Sequence, residues 1–207
     1  MQLVLATNNK DKIREIKEVL EDLPVTIYTR DDFTDFPDPE ENGRTLEENA
    51  IIKARAIREF CDMPALADDS GLEVDALDGA PGVYSSRFAG EGCTYDDNNR
   101  KLLYELKGVP EKKRTARFRC VIAIAWADGS VETVEGRADG LIAEQTAGRQ
   151  GFGYDPVFYY PPSKKRFSEM TLDEKNEVSH RGLALEKARE LLLERLNENL
   201  PDDMYEM

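Results

Sequence analysis

The segment Thr7-Asn8-Asn9-Lys10-Asp11-Lys12 gathers hydroxyl, amide and ammonium groups where an apolar run, residues 2–6, gives way to helical spacing at Ile13, Ile16 and Leu20. A helix N-terminus presents unpaired N–H groups and a partial positive charge, so an anion such as phosphate can bind there. Lys10 and Lys12 add charge, and the Thr and Asn side chains add hydrogen-bond partners. The same residues would equally serve as an ordinary N-cap with exposed lysines.

A second group lies on the helix that Thr45-Leu46-Glu47-Glu48 opens as a capping box. At 100° per residue, Leu46, Ala50, Ala54, Ile57 and Cys61 share one side, widened by Ile52, Ala56 and Phe60. Glu47, Glu48, Arg55, Arg58 and Glu59 take the opposite face, whereas Asn49 and Lys53 fall inside the apolar arc and are expected to point inward. An inward lysine needs a compensating anion. That anion is either one of the chain's own acids, in a plain buried ion pair, or a ligand phosphate or catalytic carboxylate cluster.

Carboxylates supply the third group. Glu40-Glu41 precede that helix, and Asp68-Asp69 follow a short apolar run, residues 65–67, before Ser70-Gly71. Aspartate suits a strand poorly, so the pair is expected at the strand's end, where α/β sheets commonly place their sites. Two acid pairs on loop ends can bring oxygen ligands around Mg²⁺, which takes only one or two protein carboxylates. Among 42 acidic residues, adjacent pairs also arise by chance.

The fourth group is Gly151-Phe152-Gly153-Tyr154-Asp155, then Lys175 and Ser179-His180-Arg181. The glycines allow close backbone approach, and Phe152 or Tyr154 can stack on a base. His180 is the only histidine, which excludes a multi-histidine zinc site, and no nucleophile elbow supports Ser-His-Asp catalysis.

Alternating strands and helices must hold these groups. Strands are expected at residues 2–6, 25–28, 65–67, 117–126, 131–138 and 156–160, with Asp128-Gly129 as a hairpin turn. Helices are expected after Asn9, from Thr45 to about Phe60, from Thr94 to about Leu106, and from Ser179 with a stripe of Leu185, Ala188, Leu192 and Leu196. Residues 31–43, acidic and containing Pro37 and Pro39, read as a loop. The class is mixed α/β, with one domain over residues 1–200 and an acidic tail at 201–207.

With 28 basic residues the net charge is −14, which argues against nucleic-acid or anionic-membrane partners. No stretch approaches the ~20 apolar residues of a membrane span, and no leader is evident at Met1. Cys61, Cys93 and Cys120 lack C-x-x-C spacing and read as reduced thiols of a cytoplasmic protein.

In this order the segments resemble the inosine/xanthosine triphosphate pyrophosphatase family. The match runs from Leu5-Ala6-Thr7-Asn8-Asn9 through Glu48-Asn49-Ala50 with Lys53, Ala67-Asp68-Asp69-Ser70-Gly71-Leu72 and Gly79-Ala80-Pro81-Gly82-Val83-Tyr84-Ser85 with Arg87. It continues through Gly151-Phe152-Gly153-Tyr154-Asp155-Pro156 and Glu174-Lys175 to Ser179-His180-Arg181-Gly182. The resemblance implies a two-lobed α/β fold around a long mixed, twisted sheet flanked by helices, a homodimer, and Mg²⁺-dependent hydrolysis of dITP, ITP or XTP to the monophosphate and pyrophosphate. That activity cleanses the nucleotide pool. By position, Asp69 would be the general base beside Lys53, with Glu41 and Asp69 on the metal. Thr7, Asn9, Lys12, Lys53 and Lys175, with Ser70, would hold the phosphates. Phe152 to Asp155 with His180 and Arg181 would receive base and sugar, the last two donating to a 6-keto oxygen. Asn8 stands where the family commonly has glycine, and whether Glu40 or Glu41 faces the metal is open. Two alternatives are a related pyrophosphatase acting on modified pyrimidines and a nucleotide-binding sensor without catalysis.

Overall fold

The computed structural model describes residues 1–198; the expected acidic tail at 201–207 and the last two residues of the expected domain lie outside them. An eight-stranded mixed sheet organises the chain. Its strands are β1 (Gln2–Leu5), β2 (Thr26–Tyr28), β3 (Ala65–Val74), β4 (Pro81–Gly82), β5 (Thr115–Ala125), β6 (Val131–Ile142), β7 (Phe158–Tyr160) and β8 (Lys165–Arg166). Their order is β2-β1-β3-β5-β6-β7-β8, with β4 pairing separately onto β3. β1 runs parallel to β2 and β3, and every other pairing is antiparallel.

Helices α1 (Lys10–Val19), α2 (Leu46–Cys61), α3 (Tyr95–Glu105), α4 (Leu172–Val178) and α5 (His180–Glu198) flank this sheet. Successive strand side chains point to opposite faces, and the central strands use both. In β5, Cys120, Ile122 and Ile124 pack with Ile16 of α1 and Leu185, Ala188 and Leu192 of α5. Val121, Ala123 and Ala125 face the other way, onto Ala50, Ala54 and Ile57 of α2. A strand buried on both faces reads as a continuous apolar run, which is what residues 120–126 are. A third cluster, including Leu102, Phe118, Phe158 and Phe167, fills the far end of the sheet.

The expected elements are present, most with shifted ends, and β3 departs most from expectation. The expected stub at residues 65–67 is a ten-residue strand, so Asp68 and Asp69 lie within the sheet rather than at its edge. Continuous pairing with β5, from Ala65 opposite Ala125 to Val74 opposite Ala116, overrides the poor strand propensity of two aspartates. The interior position matters because it sends the two carboxylates to opposite faces. α4 was not among the expected helices; Thr171 caps it with Glu174 in a reciprocal box.

Two glycines set the entry to α5. A Cβ at Gly136 of β6 would lie 2.0 Å from the His180 carbonyl oxygen, and one at Gly182 would lie 1.8 Å from the Asn176 carbonyl oxygen. Only glycine lets the first turn of α5 seat this closely on β6 and on α4, and that seating positions His180 and Arg181. No helix among the described residues is long and apolar enough to cross a membrane.

Candidate active site

One deep cleft is lined by residues from all four groups singled out in the sequence, among them Thr7, Lys12, Glu41, Lys53, Asp69, Ser70, Phe152, Lys175, His180 and Arg181. Each wall has its own construction.

The first wall is the turn from β1 into α1. Asn9 is the N-cap, and its Oδ1 accepts from the backbone N–H groups of Asp11 and Lys12 at 3.0 and 3.3 Å. Thr7 Oγ1 accepts from the Asn9 N–H at 3.2 Å, and Asn8 reaches Asp38 across the cleft at 3.4 Å. Lys12 turns inward to Asp68, 3.0 Å away. Lys10 and Asp11, expected in the same binding segment, do not line the cleft. Adjacent helical positions are 100° apart, so Lys10 points to solvent and Asp11 pairs outward with Arg14.

The second wall is the inward face of α2. Asn49 and Lys53 are both buried, as their place in the apolar arc requires. Lys53 Nζ lies 3.2 Å from Glu41 and 3.2 Å from Asp69, and donates to the Asp68 carbonyl at 2.8 Å. Asn49 donates to the second Asp69 oxygen at 3.3 Å and accepts from the Gly43 N–H at 2.8 Å. Burial pushes the Asp69 carboxyl above the usual range, with Glu41 and Asp68 adding to the rise and Lys53 and Lys12 opposing it. For Lys53, burial works against the charge, but Asp69, Asp68 and Glu41 outweigh it and hold the ammonium protonated. Of the two glutamates left open by the sequence, Glu41 lines the cleft and Glu40 is exposed outside it.

On the opposite face of β3, Asp68 is fully buried and does not line the cleft. Its Oδ2 gathers Lys12 at 3.0 Å, Arg181 Nε at 3.1 Å and the Ser70 hydroxyl at 3.2 Å, while Oδ1 is buried without a partner. Burial opposes ionisation, yet Lys12 and Arg181 together hold this carboxyl well below the ordinary range. Adjacent aspartates therefore differ: one is a buried counter-ion, the other a raised carboxyl in the cleft.

The third wall combines the glycine-spaced turn with α4 and α5. Lys175 is buried between Glu15 at 2.8 Å and Asp155 at 2.7 Å, with its ammonium 4.8 Å from the Phe152 ring centre. It packs on Phe152 and Asp155, as in the fourth group of the sequence, whereas the family resemblance set it beside Lys12 and Lys53. Tyr154 also lines the cleft. Its ring is core, its hydroxyl donates to the Ser85 carbonyl at 2.8 Å, and Phe152 is the half-exposed ring left to stack. Gly153 lines the cleft through its backbone.

His180 is buried, stacked on Phe118 with ring centres 4.4 Å apart and planes 7° from parallel. Burial, followed by Arg181 and Lys175, pushes its pKa well below the ordinary value, so the imidazole is neutral. Arg181 is not a free donor: Nε binds Asp68, NH1 binds Glu15 at 2.6 Å and NH2 binds Ser70 at 3.0 Å. Two of its five N–H groups remain. Glu15, which the sequence reading missed, joins Lys175 to Arg181. Burial disfavours its charge, but the two cations overcome this and lower its pKa. Glu15 lies one turn beyond Lys12 with no local signal except its apolar neighbour Ile16. Asp38, Tyr95 and Asn98 also line the cleft without having been singled out.

Chemically, the cleft has a cationic and N–H-rich end, a carboxylate pair, and an aromatic end with buried donors. Glu41 and Asp69 provide oxygen donors only, and no cage of three or more ligating His, Cys, Asp or Glu side chains occurs among the described residues. That donor set suits a hard cation shared with substrate phosphates rather than a soft or fully caged metal.

Comparison with known proteins gives the same outline. The Ham1 family model matches residues 3–191. The dITP/XTP pyrophosphatase of Desulforamulus reducens is 54% identical over 93% of this chain and 96% of its own length. That of Geobacter sulfurreducens is 50% identical, covering 89% and 92% respectively. Among solved structures, a HAM1 protein from Coxiella burnetii superposes with a TM-score of 0.86 at 42% identity, over 94% of this chain and 99% of that one.

Proposed function

We propose that this chain, which belongs to the Ham1 family, hydrolyses non-standard purine nucleoside triphosphates such as dITP and XTP to the monophosphate and pyrophosphate. The observation that carries the reading is the Glu41–Lys53–Asp69 cluster, set in one cleft between a helix N-terminus and an aromatic end with buried donors. A pure binding module has no need of a carboxyl with raised pKa in that position.

In the proposed mechanism, the triphosphate lies along the N–H groups of α1 beside Thr7, Asn9, Lys12, Lys53 and Ser70. Lys53 neutralises phosphate charge, and the Asp69 carboxylate takes a proton from the water attacking the α-phosphorus in line. Asn49 with Lys53 fixes the orientation of Asp69. Glu41 and Asp69 would hold Mg²⁺, which when bound supplies positive charge to the phosphate oxygens and the departing pyrophosphate.

At the aromatic end the base stacks on Phe152. The remaining N–H groups of Lys175 and Arg181, with neutral His180, are offered to the 6-keto oxygen of hypoxanthine or xanthine. Adenine places an amino group there, so donor meets donor, and such mismatches discriminate by up to ~10⁴-fold.

Because the cleft draws on residues from Thr7 to Arg181, we read the catalytic unit as one domain, acting as a cytoplasmic homodimer with reduced thiols on free nucleotides, not polymers. Substrate profiling with Mg²⁺ tests the reading by following pyrophosphate release from ITP, dITP, XTP, ATP and modified pyrimidine triphosphates. Strong preference for the 6-keto purines is expected; equal turnover of ATP would refute the proposed base pocket.

A further inference from the structure

Tyr95 at the start of α3 has no part in the reading so far, yet it touches both ends of the cleft. Its hydroxyl accepts a hydrogen bond from Asn9 Nδ2 at 3.1 Å, and Asn9 is the cap of the helix assigned to phosphate. Its ring lies 5.9 Å from the Phe152 ring, inclined by 42°, and Phe152 is the ring assigned to the base. Among the described residues, the Asn9–Tyr95 contact is the hydrogen bond that ties α3 to the turn after β1.

The position is built. Thr94 and Asp97 cap α3 reciprocally, which fixes where the helix begins. Asn99, buried one turn later, donates from one amide nitrogen both to the Tyr95 carbonyl at 3.0 Å and to the Gly153 carbonyl at 2.8 Å. That double bond-out clamps the start of α3 to the turn carrying Phe152. Although Tyr95 is 43% exposed, its backbone is held from two sides.

In any nucleotide the group between base and phosphates is the sugar. A side chain touching the phosphate-side cap with its hydroxyl and the base-side ring with its own ring therefore lies where the sugar must pass. Because the Tyr95 oxygen already accepts from Asn9, its own proton remains to be donated. We propose that Tyr95 is a substrate-contacting specificity residue, its ring packing on the sugar and its hydroxyl donating to a sugar hydroxyl. The proposal rests on the assignment of the two cleft ends given under the proposed function.

The test is steady-state kinetics of Tyr95→Phe and Tyr95→Ala on ITP and dITP with Mg²⁺, alongside product inhibition by IMP and by pyrophosphate. Loss of one neutral hydrogen bond should raise KM for ITP about three- to tenfold in Tyr95→Phe. We expect kcat to stay within about twofold, since the contact lies away from the reacting phosphorus. IMP inhibition should weaken in parallel while pyrophosphate inhibition is unchanged, because only IMP carries the sugar. Tyr95→Ala, which also removes the ring, should weaken IMP further. A smaller rise for dITP than for ITP would identify the 2′-hydroxyl as the partner, and equal rises the 3′-hydroxyl; both support the proposal. Unchanged KM and IMP inhibition would overturn it, as would pyrophosphate inhibition weakened as much as IMP inhibition, which would mean that Tyr95 acts through Asn9 on the phosphates. Failure of the wild-type enzyme to release pyrophosphate from ITP would instead sink the functional reading itself.

Discussion

Replacing Asp68 by Asn isolates the buried counter-ion beneath the cleft from the carboxylate within it. The Asp68 side chain has no exposure, and its Oδ2 faces Lys12 at 3.0 Å and Arg181 at 3.1 Å. Removing one partner of a buried ion pair typically costs about 3–5 kcal/mol, because the remaining charge is left without compensation. Arg181 would keep Glu15, and Lys12, 16% exposed, could turn towards water, so the lower end, about 3 kcal/mol, applies. In a protein of this size each kcal/mol moves Tm by roughly 2–4 °C, giving a fall of roughly 6–12 °C. Urea unfolding followed by the fluorescence of buried Trp126 would measure the same loss.

The pH dependence supplies a second check on the same substitution. Since folding lowers the pKa of Asp68, its contribution is fully present above the unfolded value of about 3.9 and is lost as pH falls below it, towards the folded pKa. The stability gap between wild type and Asp68→Asn should therefore be constant near neutrality and close progressively below about pH 4. A Tm shift under about 2 °C, or a gap that persists undiminished into acid, would refute the counter-ion role.

Other outcomes follow from the same geometry. Asp69→Asn should lower kcat by about 10²–10⁴-fold while sparing most nucleotide affinity, checked by single-turnover kinetics and equilibrium binding. His180, the only histidine, should show no NMR titration midpoint near the ordinary value of about 6.5, because burial and neighbouring cations keep it neutral. In native protein Cys120 should resist thiol reagents at pH 8, since it is buried and its pKa is pushed up to about 12, whereas half-buried Cys93 should react; labelling with mass spectrometry distinguishes them.

Much of the site was legible because local periodicity decides which way a side chain points. The apolar arc of α2 committed Asn49 and Lys53 to the interior, and both are there. Long-range pairing was not legible: ten residues of register with β5 draw Asp68 and Asp69 into the sheet and separate them onto two faces. Nor could spacing reveal Glu15, whose partners lie some 160 residues away on α4 and α5. Lys175, which sequence order grouped with Phe152 and Asp155, does pack on both. Only α4 was missed despite a visible signal, the Thr171–Glu174 capping box.

The central claim is that water attacks the α-phosphorus beside Asp69. Hydrolysis of ITP in ¹⁸O-labelled water, with the products resolved by mass spectrometry, tests it directly. The account predicts one labelled oxygen in the monophosphate and none in pyrophosphate; label in pyrophosphate, or release of inorganic phosphate in its place, would contradict it.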